Sequence, residues 1–117
     1  MISVRPGLRI LVTTSPVDFR RGMDSLAMLV TDTLRADPFC GDFFVFRSKR
    51  SDRVKILAWD GTGLVLYSKR LETSRFIWPA IQDGMITLSA AQLSVLLDGL
   101  DWKKVAPRVV DRPLRAG

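Results

Sequence analysis

The apolar positions of this chain change period several times, and each change marks an element. Residues 8–13 (LRILVT) are a short run of β formers, read as a first strand and broken by Thr14, Ser15 and Pro16. Between residues 22 and 34 apolar side chains recur at Met23, Leu26, Ala27, Leu29, Val30 and Leu34, the spacing of one greasy face on an amphipathic helix. Asp24 lies near the positive end of that helix. Asp37-Pro38 then stops it, because a residue before proline avoids helical ψ. Three β-prone runs come next, at residues 43–47, 53–59 and 63–69, joined by turns at 48–52 and 60–62, the second carrying an Asp-Gly hairpin signal. Residues 76–78 (FIW) and 85–88 predict two more short strands, linked through Pro79 and Asp83-Gly84. Ser89 with Gln92 forms a capping box that opens a last helix, marked by Leu93, Leu96, Leu97 and Leu100. Gly99 is its expected C-cap, and Trp102 is expected to clamp it to the sheet.

The order β-α-β-β-β-β-β-α predicts an α+β fold: a single domain, with an antiparallel sheet of about five to six strands and two helices packed on one face. By period two, Val54, Ile56 and Ala58 point to one side of the third strand, and Arg53, Lys55, Leu57 and Trp59 to the other. The first side is core. The second mixes two cations with a leucine and a tryptophan, unusual for a face that meets only water. The globular domain is assigned to residues 1–102. Residues 103–117 (KKVAPRVVDRPLRAG), with two prolines, high charge and no period, are assigned to a basic, flexible tail.

Composition narrows the function. The 117 residues include one cysteine and no histidine, so neither an intrachain disulfide nor a zinc finger can form. No N-terminal segment has the residue order of a signal peptide and no apolar run approaches membrane-spanning length, so the expectation is a soluble cytoplasmic protein with no cofactor and no metal. The net charge is +6, but its distribution matters more than its total. Residues 1–42 are neutral, residues 43–75 carry +5, residues 76–102 carry −3 and residues 103–117 carry +4. The central excess comes from Arg47, Lys49, Arg50, Arg53, Lys55, Lys69, Arg70 and Arg75 against Asp52, Asp60 and Glu72.

Each candidate site has a functional and a plain structural reading. Arg47, Lys49, Arg50, Arg53 and Lys55 form a basic hairpin tip and flank that could grip phosphates, or could be a solvated turn. Arg20-Arg21 beside Gly22 could hold an anion near a helix start, or pair with Asp18 and Asp24. Trp59 could stack on bases, with Tyr67 beside it across the hairpin, or take part in cross-strand packing. Asp60-Gly61 suits a catalytic loop in principle and a tight turn in practice. Glu72 is read as an ion-pair partner of Arg70 or Arg75, and Cys40 as an inert loop thiol. A nuclease would need convergent carboxylates, and of the twelve acids only Asp18 and Asp24 lie close together in the sequence in a plausible site region.

Taken in order, the words of this sequence resemble one family. They are Asp18, Arg20, Arg21, Gly22, Asp24 and Leu26; Asp37-Pro38-Phe39; Phe44-Val45-Phe46-Arg47; Lys55-Ile56-Leu57; and Trp59-Asp60-Gly61 with Gly63-Leu64. Lys69-Arg70-Leu71-Glu72, Arg75-Phe76, Trp78-Pro79, Leu88, Ala91-Gln92-Leu93, Leu97-Asp98-Gly99 and Asp101-Trp102 complete them. From about Leu8 to Lys103 the chain resembles the small second-frame accessory protein, often called TnpB, of bacterial insertion sequences of the IS-sixty-six type. The resemblance implies a part in DNA transposition, alongside a first-frame protein and a separate catalytic transposase of the same mobile element. The expectation is a non-enzymatic accessory factor that contacts transposon DNA, the transposase or both through the basic hairpin and the Lys69–Arg75 segment. The alternative is a protein-only adaptor that docks the mixed face of the sheet on the transposase.

Overall fold

A computed structural model describes residues 7–105. Five strands make one sheet in the order β4-β3-β2-β1-β5: β1 (Ile10–Thr13), β2 (Phe43–Arg47), β3 (Arg53–Trp59), β4 (Leu64–Arg70) and β5 (Met85–Leu88). Two helices, α1 (Met23–Asp32) and α2 (Ala90–Leu97), and a closing 3-10 turn (Trp102–Lys104) complete the fold. The α+β class and single domain are as the sequence predicts.

Three details differ from the sequence reading. First, the sheet is not wholly antiparallel. β1 and β2 run parallel, Ile10 beside Phe43 and Val12 beside Val45, and α1 is the crossover between them. Second, the helices do not share a face. Leu26, Ala27 and Val30 of α1 pack on Leu11, Phe44, Phe46 and Leu57. Leu93 and Leu96 of α2 pack on Ile10, Val12, Phe43, Val45, Val54, Ile56 and Ala58. The reason is written in β2, whose first four residues, FFVF, are apolar on both sides and must be covered on both. The mixed face of β3 is therefore the floor beneath α1, and Leu57 is fully buried there.

Third, residues 76–78 are not a strand. Phe76 and Trp78 are buried, but their polar groups serve other elements: the Phe76 amide and the Trp78 indole both donate to the Ser51 carbonyl, at 2.8 and 3.3 Å. The Ile77 carbonyl accepts the Trp102 indole at 2.6 Å, so Trp102 does lock the last turn onto the core.

Smaller shifts have local causes. β1 begins at Ile10, not Leu8, because the Arg9 amide donates to Asp42 Oδ1 at 2.9 Å. α1 ends at Asp32, and the chain then turns through Arg35 in the left-handed region (φ 53°). The capping box is formed: Ser89 Oγ accepts the Gln92 amide, and Gln92 Oε1 accepts the Ser89 amide. Gly99 follows α2 with φ +76°. Lys103 and Lys104, assigned to the tail from sequence, lie in the 3-10 turn; the tail residues 106–117 lie outside the described residues.

Candidate polyanion interface

The five-residue turn between β2 and β3 is built around two serines. Ser48 is buried; its Oγ accepts the Arg53 amide at 3.1 Å, and its carbonyl accepts the Ser51 amide. Ser51 holds φ 67°, a conformation that costs a non-glycine residue about 1–2 kcal/mol. Its partners hold it there, since its carbonyl takes the Phe76 amide and the Trp78 indole, and its Oγ takes Arg47 Nη2 at 2.7 Å. The Leu71 amide donates to the Asp52 carbonyl at 2.9 Å. Segment 71–76 is thereby stapled to the hairpin turn. Neither serine is among the residues the sequence marks out, although small polar residues flanking a tight turn signal local side-chain bonding of this kind.

On the other side of the turn lies the loop between β1 and α1. The Val17 amide bonds the Arg47 carbonyl at 3.0 Å, extending the β1–β2 pairing. Asp18 organises the rest of this loop, accepting the Arg20 amide at 2.9 Å and the Arg20 guanidinium at 2.7–3.1 Å. Those bonds to Arg20, side chain first, hold the Asp18 carboxyl down to about 2. Arg21 reaches Ser25 Oγ at 2.8 Å. The pairing reading of Arg20 thus holds for Asp18; neither arginine bonds Asp24.

Between loop and turn lies an open cleft of about 550 Å³, lined by Pro16, Asp18, Phe19 and Arg20 on one wall and by Lys49, Arg50, Asp52 and Arg53 on the other. A second hollow of about 280 Å³ adjoins it, shared through Arg50 and Asp52 and bounded by Glu72 and Arg75. Lys49, Arg50, Arg53 and Arg75 are exposed, and their side chains have no hydrogen-bond or ion-pair partner among the described residues. Arg70 pairs with Glu72 at 3.3 Å, both exposed. Arg53 and Arg70 are direct cross-strand partners. Like charges so placed repel, and Glu72 offsets part of that repulsion on the Arg70 side.

Not every predicted residue belongs to this rim. Lys55 turns its ammonium inward to the Phe19 and Arg21 carbonyls, at 2.8 and 3.0 Å, with the Phe19 ring 5.1 Å away. Lys69 donates to the Leu97 carbonyl at 2.7 Å, at the negative end of α2. Arg47 is half-buried over the Trp78 ring at 5.8 Å, where burial disfavours its charged form. Trp59 sits at the opposite end of β3, six residues or roughly 20 Å from Arg53, edge-on to Phe39 at 5.7 Å. Tyr67 lies across from Ile56 and joins the other face of the sheet, so Trp59 and Tyr67 do not meet. Asp60 is the turn residue: its Oδ1 accepts the Thr62 and Gly63 amides at 2.9 Å each and the Thr62 hydroxyl at 3.1 Å. Burial raises the Cys40 thiol above its ordinary value, which slows any reaction through the thiolate. Among the described residues no three Cys, Asp or Glu side chains converge to hold a metal ion, and no helix is long and apolar enough to cross a membrane.

The family model described as IS66 Orf2 like protein matches residues 8–107. The chain belongs to the IS66 Orf2-like family. It is 50% identical over 115 residues to the uncharacterized protein y4jC of Sinorhizobium fredii, covering 98% of each chain. It is 38% identical over 117 residues to the uncharacterized protein y4hO of the same organism, covering the whole of both. No solved structure matches the chain. Membership of the IS66 Orf2-like family makes this a transposition-associated accessory protein of an insertion sequence.

Proposed function

We propose that this IS66 Orf2-like protein is a non-enzymatic accessory factor that binds the phosphate backbone of transposon DNA through the rim formed by Lys49, Arg50, Arg53 and Arg75, flanked by the ion-paired Arg20 and Arg70. It works beside a separate transposase that supplies the chemistry. One observation carries the reading: Lys49, Arg50 and Arg53, all exposed and without an internal partner among the described residues, line one cleft at the end of the sheet, and Arg75 stands in the hollow that adjoins it. Arginine forks there can take phosphate oxygens in pairs, which suits the backbone more than base edges. Lys55, Lys69 and Trp59 position and stabilise the scaffold rather than touch the ligand. For the protein-only adaptor, α1 covers Leu57 at the centre of the mixed face of β3, which leaves the exposed Arg53 at its end as the part open to a partner.

Titrating a fluorescent element-end duplex across a salt series tests the reading. Binding should weaken linearly on logarithmic axes, with a slope of about −0.9 per phosphate neutralised. The triple variant Lys49→Ala, Arg50→Ala, Arg53→Ala should flatten the slope by about 2–3 and leave the melting temperature unchanged. Salt-insensitive or absent DNA binding, with co-purification of the transposase retained, would favour the adaptor instead.

A further inference from the structure

β4 is an edge strand, paired with β3 on one side and with no strand on the other among the described residues. Its phase is fixed at both ends. The Leu71 amide donates to the Asp52 carbonyl and the Asp60 amide to the Gly63 carbonyl, so the odd-numbered residues of the strand exchange bonds with β3. Leu64, Leu66, Ser68 and Arg70 therefore turn their amides and carbonyls outward. The opposite edge, β5, is only four residues long, a length that by itself discourages pairing. β4 has seven, and its first four, Leu64, Val65, Leu66 and Tyr67, are apolar and only half-buried. Proteins usually blunt such an edge with proline or with charge along its length. Here Lys69 and Arg70 stand together at one end.

That charge placement selects one partner geometry. A parallel pairing of two β4 strands would set Lys69 and Arg70 against their own copies, which is repulsive. An antiparallel pairing centred on Tyr67 sets Arg70 opposite Leu64, Lys69 opposite Val65 and Ser68 opposite Leu66, with no like charges opposed. Tyr67 meets Tyr67 at the centre, as a non-hydrogen-bonded pair with Cα atoms about 4.5 Å apart. We propose that β4 is a self-association edge, joining two copies of this chain into one continuous antiparallel sheet. The two-fold axis then runs through the sheet, and both copies turn their α1 face to the same side. The two Arg70 residues lie roughly 20 Å apart along the strand direction.

Sedimentation equilibrium of the full chain, over concentrations reaching the millimolar range, should show a monomer–dimer equilibrium; a monomer throughout overturns the proposal. Ser68→Pro removes an outward amide without breaking a β3 bond, and should weaken association at least tenfold with the melting temperature held. Unchanged association of that variant also overturns it. In a Cys40→Ser background, Tyr67→Cys should oxidise to a cross-linked dimer and Leu64→Cys should not. A dimer that fails to cross-link at residue 67, or cross-links equally at 64, places the interface elsewhere and sinks the β4 edge. Because these readouts use no DNA, they are independent of the phosphate-binding result.

Discussion

Arg53 and Lys55 occupy the same face of β3, two residues apart, yet their charges have opposite fates. The long stem of Lys55 carries its ammonium to two loop carbonyls, fixing the loop that bears Arg20, whereas Arg53 stays in water with no internal partner. Lys55→Met keeps the stem and deletes the donors, so it should cost about 1–2 kcal/mol in a denaturant melt. It should also loosen the Arg20 loop, visible as faster amide exchange at Arg20 and Arg21. Asp18 supplies a second residue-scale prediction. Its folded-state value lies near 2, below the ordinary 3.8, so its contribution is fully present above about 3.8 and lost as pH falls through about 2. An NMR titration should find its midpoint near 2, and Arg20→Ala should return it toward 3.8. A sequence shows that a residue is cationic but not which carbonyl it will meet. The partners of Lys55 lie 34 and 36 positions away, beyond the reach of any local pattern.

At the scale of elements, local chemistry was legible and long-range bonding was not. The Ser89 capping box, the Asp60 turn and the three hairpin strands depend on neighbours a few residues apart, and they stand as read, save that the last strand runs one residue later, at Leu64–Arg70. Residues 76–78 read as a strand because their aromatic character mimics one. Their backbone answers instead to Ser51 and Trp102, about 25 residues away on either side. The cationic turn was visible as composition, but its junction with Arg20 needed the parallel pairing of β1 and β2. The all-apolar start of β2 held the clue to two covered faces. The end of α2 offers a test of element-scale geometry. Gly99 has φ +76°, and a Cβ there would stand 3.1 Å from Leu71 Cδ1. Gly99→Ala should cost about 1–2 kcal/mol in a denaturant melt through the left-handed conformation and that contact.

The molecule as a whole is a sheet held between one helix above and one below. Each helix should matter to the whole fold. Leu26 and Leu96 are both fully buried, one on each side, and Leu26→Ala or Leu96→Ala should each cost about 2–5 kcal/mol in a single cooperative transition. A helix that melted separately, with the sheet intact, would contradict that arrangement. The staple between residues 71–76 and the hairpin turn reaches further than stability. Two loops that share backbone bonds cannot drift apart, so the main-chain positions of Arg50 and Arg75 keep a separation set when the chain folded, while their exposed side chains stay free to turn. On the proposed reading, that separation would serve as a coarse ruler along a phosphate backbone, with only side-chain rotamers left to be ordered at each encounter.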